Sequence, residues 1–253
     1  MRFRCHQSFG WLVAAFPSFC ATAMGLSGLL ASSNAHAAWP LITDNAGIAD
    51  AKSCKIETWV QFKRNGNEYG VQPACNITGN LELMVSGALG KDDAGRTRTT
   101  EIVFQGKTLF KTLEPNGWAW GLAAGNVRRP IIHSSGKVIG DLYAYVPMSF
   151  SLRDDRVMIH GSLGWLREKE IGRHHHHMTW NIASETRLGK RTWLIAETFG
   201  RNQGTPFYQA GFRHWLVHDR VQINATYGNR FGSSTEERWF SIGLHLETPA
   251  FLP

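Results

Sequence analysis

The sequence predicts an all-β protein: an antiparallel transmembrane β-barrel of about twelve strands, preceded by a cleaved signal peptide. Three observations carry that reading. Apolar residues alternate with polar or small ones along most of the chain, the period of extended strands whose two faces meet different surroundings. The connections are by turns short and long, as in outer-membrane barrels with short periplasmic turns and longer outside loops. Finally, the chain opens as an exported protein does. Residues 1–4 are basic, 11–31 are mostly apolar, and 32–37 supply a small-residue cleavage site.

Residues 1–37 are therefore read as a signal peptide cut after Ala37. Pro17, Ser18 and Cys20 break the apolar run that an uncleaved anchor would need. Residues 38–52 hold polar turns, a proline and no clear period, which reads as a periplasmic N-terminal arm. The barrel is assigned to 53–247. Its first strand, 54–62, sets Ile56, Thr58, Val60 and Phe62 against Lys55, Glu57, Trp59 and Gln61. Asn65-Gly66 is a tight-turn pair, and 68–75 returns with Tyr69, Val71 and Cys75 on one face. Folding back there brings Cys54 and Cys75 nearly opposite each other. A pair of cysteines in an exported chain reads as a disulfide.

Further strands follow at 81–89, 100–110, 118–124, 138–146, 157–165, 178–188, 193–199, 207–216 and 221–227. Short turns carry Gly79, Pro115-Asn116-Gly117, Asp154-Asp155, Gly189-Lys190 and His218-Asp219. The longer loops run over 90–98, 125–137, 167–174, 200–206 and 228–236. The last strand, 237–246, opposes Phe240, Ile242, Leu244 and Leu246 to Trp239, Ser241, Gly243 and His245. It should close the barrel against 54–62 and remove both open edges. Pro249 stops it, so residues 248–253 read as a periplasmic tail. Eight of the ten tryptophans fall in or beside these strands, as interfacial girdles require.

Removing Arg2 and Arg4 with the leader lowers the net charge from +7 to +5, with 25 basic and 20 acidic residues left. That excess is dispersed and forms no basic block, so nucleic acid is not a partner. The expected partners are the outer-membrane lipid bilayer, the barrel-assembly machinery and a small-molecule solute. No cofactor is expected.

Strand alternation places most ionisable residues on an inward face, where lipid would not penalise them. The expected lumen lining comprises Glu185, Glu197, Arg213, Gln209, Asn224, Ser241, Asp141, Glu101 and Lys107. The turn at Gly189-Lys190 is expected to set Glu185 near the level of Glu197. Acids outnumber bases on this face, which favours cationic or neutral solutes. The same charges could instead fill and close a small lumen.

Two further motifs bear on chemistry. His174-His175-His176-His177 resembles a metal tract, but it opens a strand that sends alternate histidines to opposite faces, so no metal site is assigned. His160 and Ser162 share a strand face, and Glu185 on the next strand could orient the histidine. Lipid A deacylases resemble this in using a His-x-Ser pair, which makes a lipid-modifying hydrolase the third reading. The HxSNG pattern of the outer-membrane phospholipase is absent, and the chain is read as a non-enzyme.

The stretches LIAETFG (194–200), QAGFRHWL (209–216) and NATYGNRFGSSTEERWFSIGL (224–244) resemble a known group. This group is the outer-membrane transporter proteins associated with the meta-cleavage pathway of phenol degradation. The resemblance implies a barrel and extends the expected solutes to aromatic or hydrophobic molecules. A narrow channel or transporter is thus the first expectation, and a surface-interaction barrel with a plugged lumen the second.

Overall fold

Twelve strands pair antiparallel in chain order and close on themselves. The computed structural model describes residues 41–92, 95–130, 138–170, 173–232 and 237–253. The signal peptide expected at 1–37 lies outside them. The strands are β1 (Cys54–Lys63), β2 (Gly66–Asn76), β3 (Leu81–Asp92), β4 (Thr97–Lys111), β5 (Trp118–Arg128) and β6 (Asp141–Leu152). They continue as β7 (Val157–Glu170), β8 (Arg173–Arg187), β9 (Thr192–Arg201), β10 (Phe207–Val217), β11 (Val221–Arg230) and β12 (Trp239–Glu247). β1 meets β12 over nine residue pairs, from Lys55 opposite Glu247 to Lys63 opposite Trp239. No edge is left unpaired, so no strand offers a template for aggregation.

Connections at one end are three to six residues long, whereas at the other they vary from the two-residue Arg64-Asn65 turn to the twelve residues between β5 and β6, so the expected asymmetry of loop length holds only in part. Cys54 stands directly opposite Cys75, and the two are joined with their Cα atoms 4.0 Å apart. The largest departures from the expected strands are at β6 and β8. β6 starts at Asp141 and runs through Pro147 to Leu152, whereas the proline and the polar Ser149 and Ser151 suggested a strand ending at Val146. β8 begins at Arg173 and contains the whole histidine tract, paired with Leu166–Lys169 of β7.

The faces are inverted relative to a soluble sheet. Outward side chains such as Leu163, Phe104, Phe212 and Ile242 are exposed, while Lys55, Glu57, Glu82, Lys107, Glu185, Glu197 and Arg213 are buried inside. Two aromatic zones ring the outer face. Phe110, Trp118, Trp120 and Phe150 sit toward the short-turn end, and Phe62, Phe240 and Tyr227 toward the long-loop end. The expectation that the strand tryptophans form girdles holds for only part of the set. Trp59, Trp193, Trp215 and Trp239 are buried and point inward.

Inward aromatics fit because glycine stands opposite them. Trp59 pairs across the ladder with Gly70, Trp239 with Gly228, Tyr143 with Gly125 and Tyr145 with Gly164. A β-carbon at Gly70 would lie 1.9 Å from the Trp59 ring, and one at Gly228 would lie 2.2 Å from Trp239. The Trp59, Trp239 and Tyr143 rings lie over bare backbone, which keeps a large side chain from spanning the lumen.

Residues 41–52 require the main revision. The sequence reads 38–52 as a periplasmic arm, whereas 41–49 run inside the barrel and Asp50, Ala51 and Lys52 are exposed. Leu41, Thr43, Asn45, Ala46, Ile48 and Ala49 are all buried. Leu41 packs on Ala183 and Ile195 of the inner wall, and Ala46 and Ile48 pack on Leu109 and Ala119. The segment lacks a period because it follows no strand partner. The tail is also tied down: the amides of Phe251 and Leu252 donate to the Lys52 carbonyl at 2.9 and 3.0 Å.

Gly70→Val should destabilise the folded barrel by about 1–3 kcal/mol, because the Trp59 ring must leave its rotamer. Its denaturation midpoint, followed by the heat-modifiable mobility shift, should fall below wild type, and adding Trp59→Leu should restore part of the loss. Equal midpoints for wild type and Gly70→Val would mean the ring does not need the bare backbone.

Candidate functional site

The lumen and the arm threaded through it form the site. An extended segment with no ladder partner still carries amides that need acceptors. Side-chain acceptors for them come from four strands, β3, β6, β9 and β12. Glu197 on β9 uses both carboxylate oxygens: one accepts the Ile42 amide at 2.8 Å, the other the Thr43 amide at 2.7 Å. Gln209 of β10, directly opposite, also donates its side-chain amide to Glu197. Such charge-assisted bonds are about twice as strong as neutral ones.

The contacts continue toward the short-turn end. Lys107 of β4 holds both oxygens of Asp44, at 2.8 and 2.9 Å, and the Tyr145 hydroxyl donates to Asp44 at 2.6 Å. Ser149 accepts the Ala46 amide at 2.8 Å and Glu82 accepts that of Ala49 at 2.8 Å. Glu247, the last residue of β12, accepts the Asp50 amide at 3.2 Å. Met158, Trp193, Trp215 and Leu113 cluster near the short-turn end. A cavity of about 260 Å³ remains beside the arm, lined by Asp44, Glu57, Gln72, Gln105 and Tyr143 among others.

In the structure the expected lining residues divide into separate groups. Glu197 and Gln209 grip the arm, and Thr226 and Trp239 extend the chain by donating to Gln209 at 3.2 and 3.1 Å. Arg213 pairs with Glu185 at 2.5 Å rather than with Glu197. The turn after β8 sets Ala183 opposite Glu197 and Ile195 opposite Glu185, so the two acids sit two rungs apart, not level. That is about 7 Å along a strand. Lys107 binds Asp44. Asn224 and Ser241 are buried on the β11–β12 wall, with Asn224 reaching over Gly243. Glu101 lies half-buried on β4. Asp141 stands at the long-loop end, where it accepts the Lys169 amide at 2.7 Å and pairs with Arg129.

Sequence reasoning missed Glu82, Tyr145, Ser149 and Glu247 as wall partners of the arm. Their inward parity was legible, but nothing in an aperiodic segment tells which wall it will lean on.

His160 and Ser162 face inward without meeting. Ser162 donates to Asn181 at 2.7 Å. His160 Nδ1 is 2.8 Å from Ser149 Oγ, and its Nε2 is 3.4 Å from Glu185. This serine, histidine and acid resemble a nucleophile relay, but all three are fully buried. Ser149 is capped by the arm and Glu185 by Arg213, so with the arm seated none of the three opens to the lumen. In the histidine tract, His176 stacks on Trp165 at 5.5 Å and His177 lies 3.4 Å from Glu168. Among the described residues no group of three or more candidate ligands could hold a metal.

A family model covers residues 25–248 of this sequence. The chain belongs to the family described as uncharacterised conserved protein UCP029691. No curated protein matches it. Among solved structures it is similar to the NanC porin, with a TM-score of 0.55 and 7% identity over 76% of this chain and 98% of that one. The KdgM porin in complex with disordered oligogalacturonate gives 0.54 and 8% identity over 77% and 98%. KdgM porin alone gives 0.53 and 7% over 76% and 98%. At such identities the likeness establishes the fold, which is porin-like.

Glu197→Leu should release the upper part of the arm. Losing two charge-assisted bonds should speed amide exchange at Ile42 and Thr43 by roughly 10–100-fold, measured by mass spectrometry on the folded barrel. Unchanged exchange at those two amides would mean that Glu197 does not hold the arm.

Proposed function

We propose that this protein is an outer-membrane channel for small molecules whose lumen is occupied by its own N-terminal arm. One observation carries the reading: a closed barrel, apolar outside and ionic inside, around an arm held by side chains. An apolar outer surface of this extent is stable in hydrocarbon, where closed barrels leave no backbone group unpaired. The two aromatic zones suit the two bilayer interfaces. The basic, apolar and small-residue opening of the sequence supports export through the periplasm, which would put the short turns on the periplasmic side. The porin likeness supports passage of a solute, and the sequence resemblance favours an aromatic or hydrophobic one.

The arm joins the two leading readings. A seated arm makes the barrel a plugged one, and a displaced arm leaves a polar passage wide enough for small solutes. Its grip consists mainly of single hydrogen bonds and ion pairs along one extended segment, which can separate in sequence without unfolding the wall. A permanently plugged surface barrel is the second reading, favoured by the apolar packing of Leu41, Ala46 and Ile48. The hydrolase reading is less favoured, because the Ser149–His160–Glu185 set is buried beneath the seated arm.

Planar-bilayer recording should give small, brief openings for the wild type. A variant lacking residues 38–49, exported with its own leader and checked for heat-modifiable mobility, should conduct several-fold more and stay open. A folded deletion variant that conducts no more than wild type would sink the plugged-channel reading in favour of the structural barrel.

A further inference from the structure

Beside Ile42 of the arm, toward the long-loop end, the inner wall forms a cup of about 400 Å³. Its floor is Ile42. Its sides are Phe199 of β9, Phe207 of β10 and Trp239 of β12, all inward-facing, with Gln61 of β1 beside them. Phe199 and Phe207 stack at 5.6 Å between centroids with planes 12° apart, and Trp239 is tilted about 50° to both at 6.5 and 6.1 Å. Lys63, Arg64 and Arg238 stand on the rim with one acid, Glu237.

The aromatic wall is fixed before anything binds. Trp239 lies over Gly228 and donates to Gln209 at 3.1 Å. The Arg230 guanidinium sits 4.7 Å from the Phe207 centroid and is itself tied to Glu237 at 2.9 Å. Rigid aromatic faces cost little ordering on binding, and the volume falls in the range of small-ligand sites. Flat π faces suit a planar ring, which gains by offset or tilted packing. Lys63 pairs with Glu68 at 3.2 Å and Glu237 with Arg230, so with Arg64 and Arg238 the described groups around the rim keep a positive balance, which suits a negative group at the ring's edge. The interior acids do not oppose this, because Glu197, Glu185, Glu82 and Glu57 are each engaged by arm amides, arginine, lysine or histidine.

We propose that this cup is a binding site for a small planar aromatic carboxylate. As the solute's docking point it rests on the channel reading, but as a site it stands on its own geometry. The preference it implies at the mouth is the opposite of the cationic or neutral one drawn from the count of inward acids.

Calorimetric titration of the purified, folded full-length barrel in detergent tests it without reading conductance. Benzoate should bind saturably and at least about tenfold more tightly than benzylamine, which carries the same ring and the opposite charge. Phe207→Leu should weaken benzoate about three- to tenfold. Arg238→Gln should weaken it as well and flatten its salt dependence. Both variants must keep the heat-modifiable band. Absence of saturable benzoate binding, benzylamine binding as tightly, or two folded variants indistinguishable from wild type would each overturn the site. A failed titration would leave the channel reading untouched, and a silent bilayer would leave the cup untouched.

Discussion

The rest of the structure depends on one geometric constraint, the width of a closed sheet of twelve strands. Barrel diameter grows with strand number. About eight strands leave an interior that side chains can fill, and sixteen or more leave an aqueous channel. Twelve lies between. Side chains alone would leave a gap, and an unfilled polar gap in a bilayer is a leak. Here the gap is filled by a length of the chain's own backbone, supplemented by aromatic rings laid flat across glycines.

Putting backbone into a lumen sets the chemistry of the wall. Amides of Ile42, Thr43, Ala49 and Asp50 have no neighbouring strand, and each finds a carboxylate. The excess of acids over bases inside therefore reflects a need for acceptors as much as a preference for cations. Some of these acids are further balanced: Lys55 stands 3.1 Å from Glu82, and His245 stands 3.6 Å from Glu247. The wall is polar because it is lined up against a peptide, and that polarity would also suit water and solute if the peptide left.

Much of the barrel was legible in the sequence because its code is local. Alternation gave Phe240, Ile242, Leu244 and Leu246 their outward face without any knowledge of neighbours. Asn65-Gly66 fixed the first hairpin and so the Cys54–Cys75 pair. Where reading failed, the determinant was long-range. Pro147 reads as a strand stop, yet its strand is paired on both sides and continues to Leu152. The two-residue offset that separates Glu185 from Glu197 is set by pairing rather than by composition. Trp59 shares its strand face with Lys55, Glu57 and Gln61, which makes it inward, but how so large a ring fits there is visible only with Gly70 opposite it. The arm is the clearest case, since its aperiodicity is equally that of a solvated tail and that of a plug.

The arm's seat also carries information about time. It precedes every strand, yet its partners lie 33 residues away for Glu82, 103 for Ser149, 154 for Glu197 from Thr43, and 197 for Glu247. Contacts of such separation form only after the intervening chain has been ordered. The segment made first is thus the one seated last. Because Glu247 ends β12, the complete seat exists only once the final strand has joined the first. A fully docked arm is therefore a built-in record that the barrel has closed.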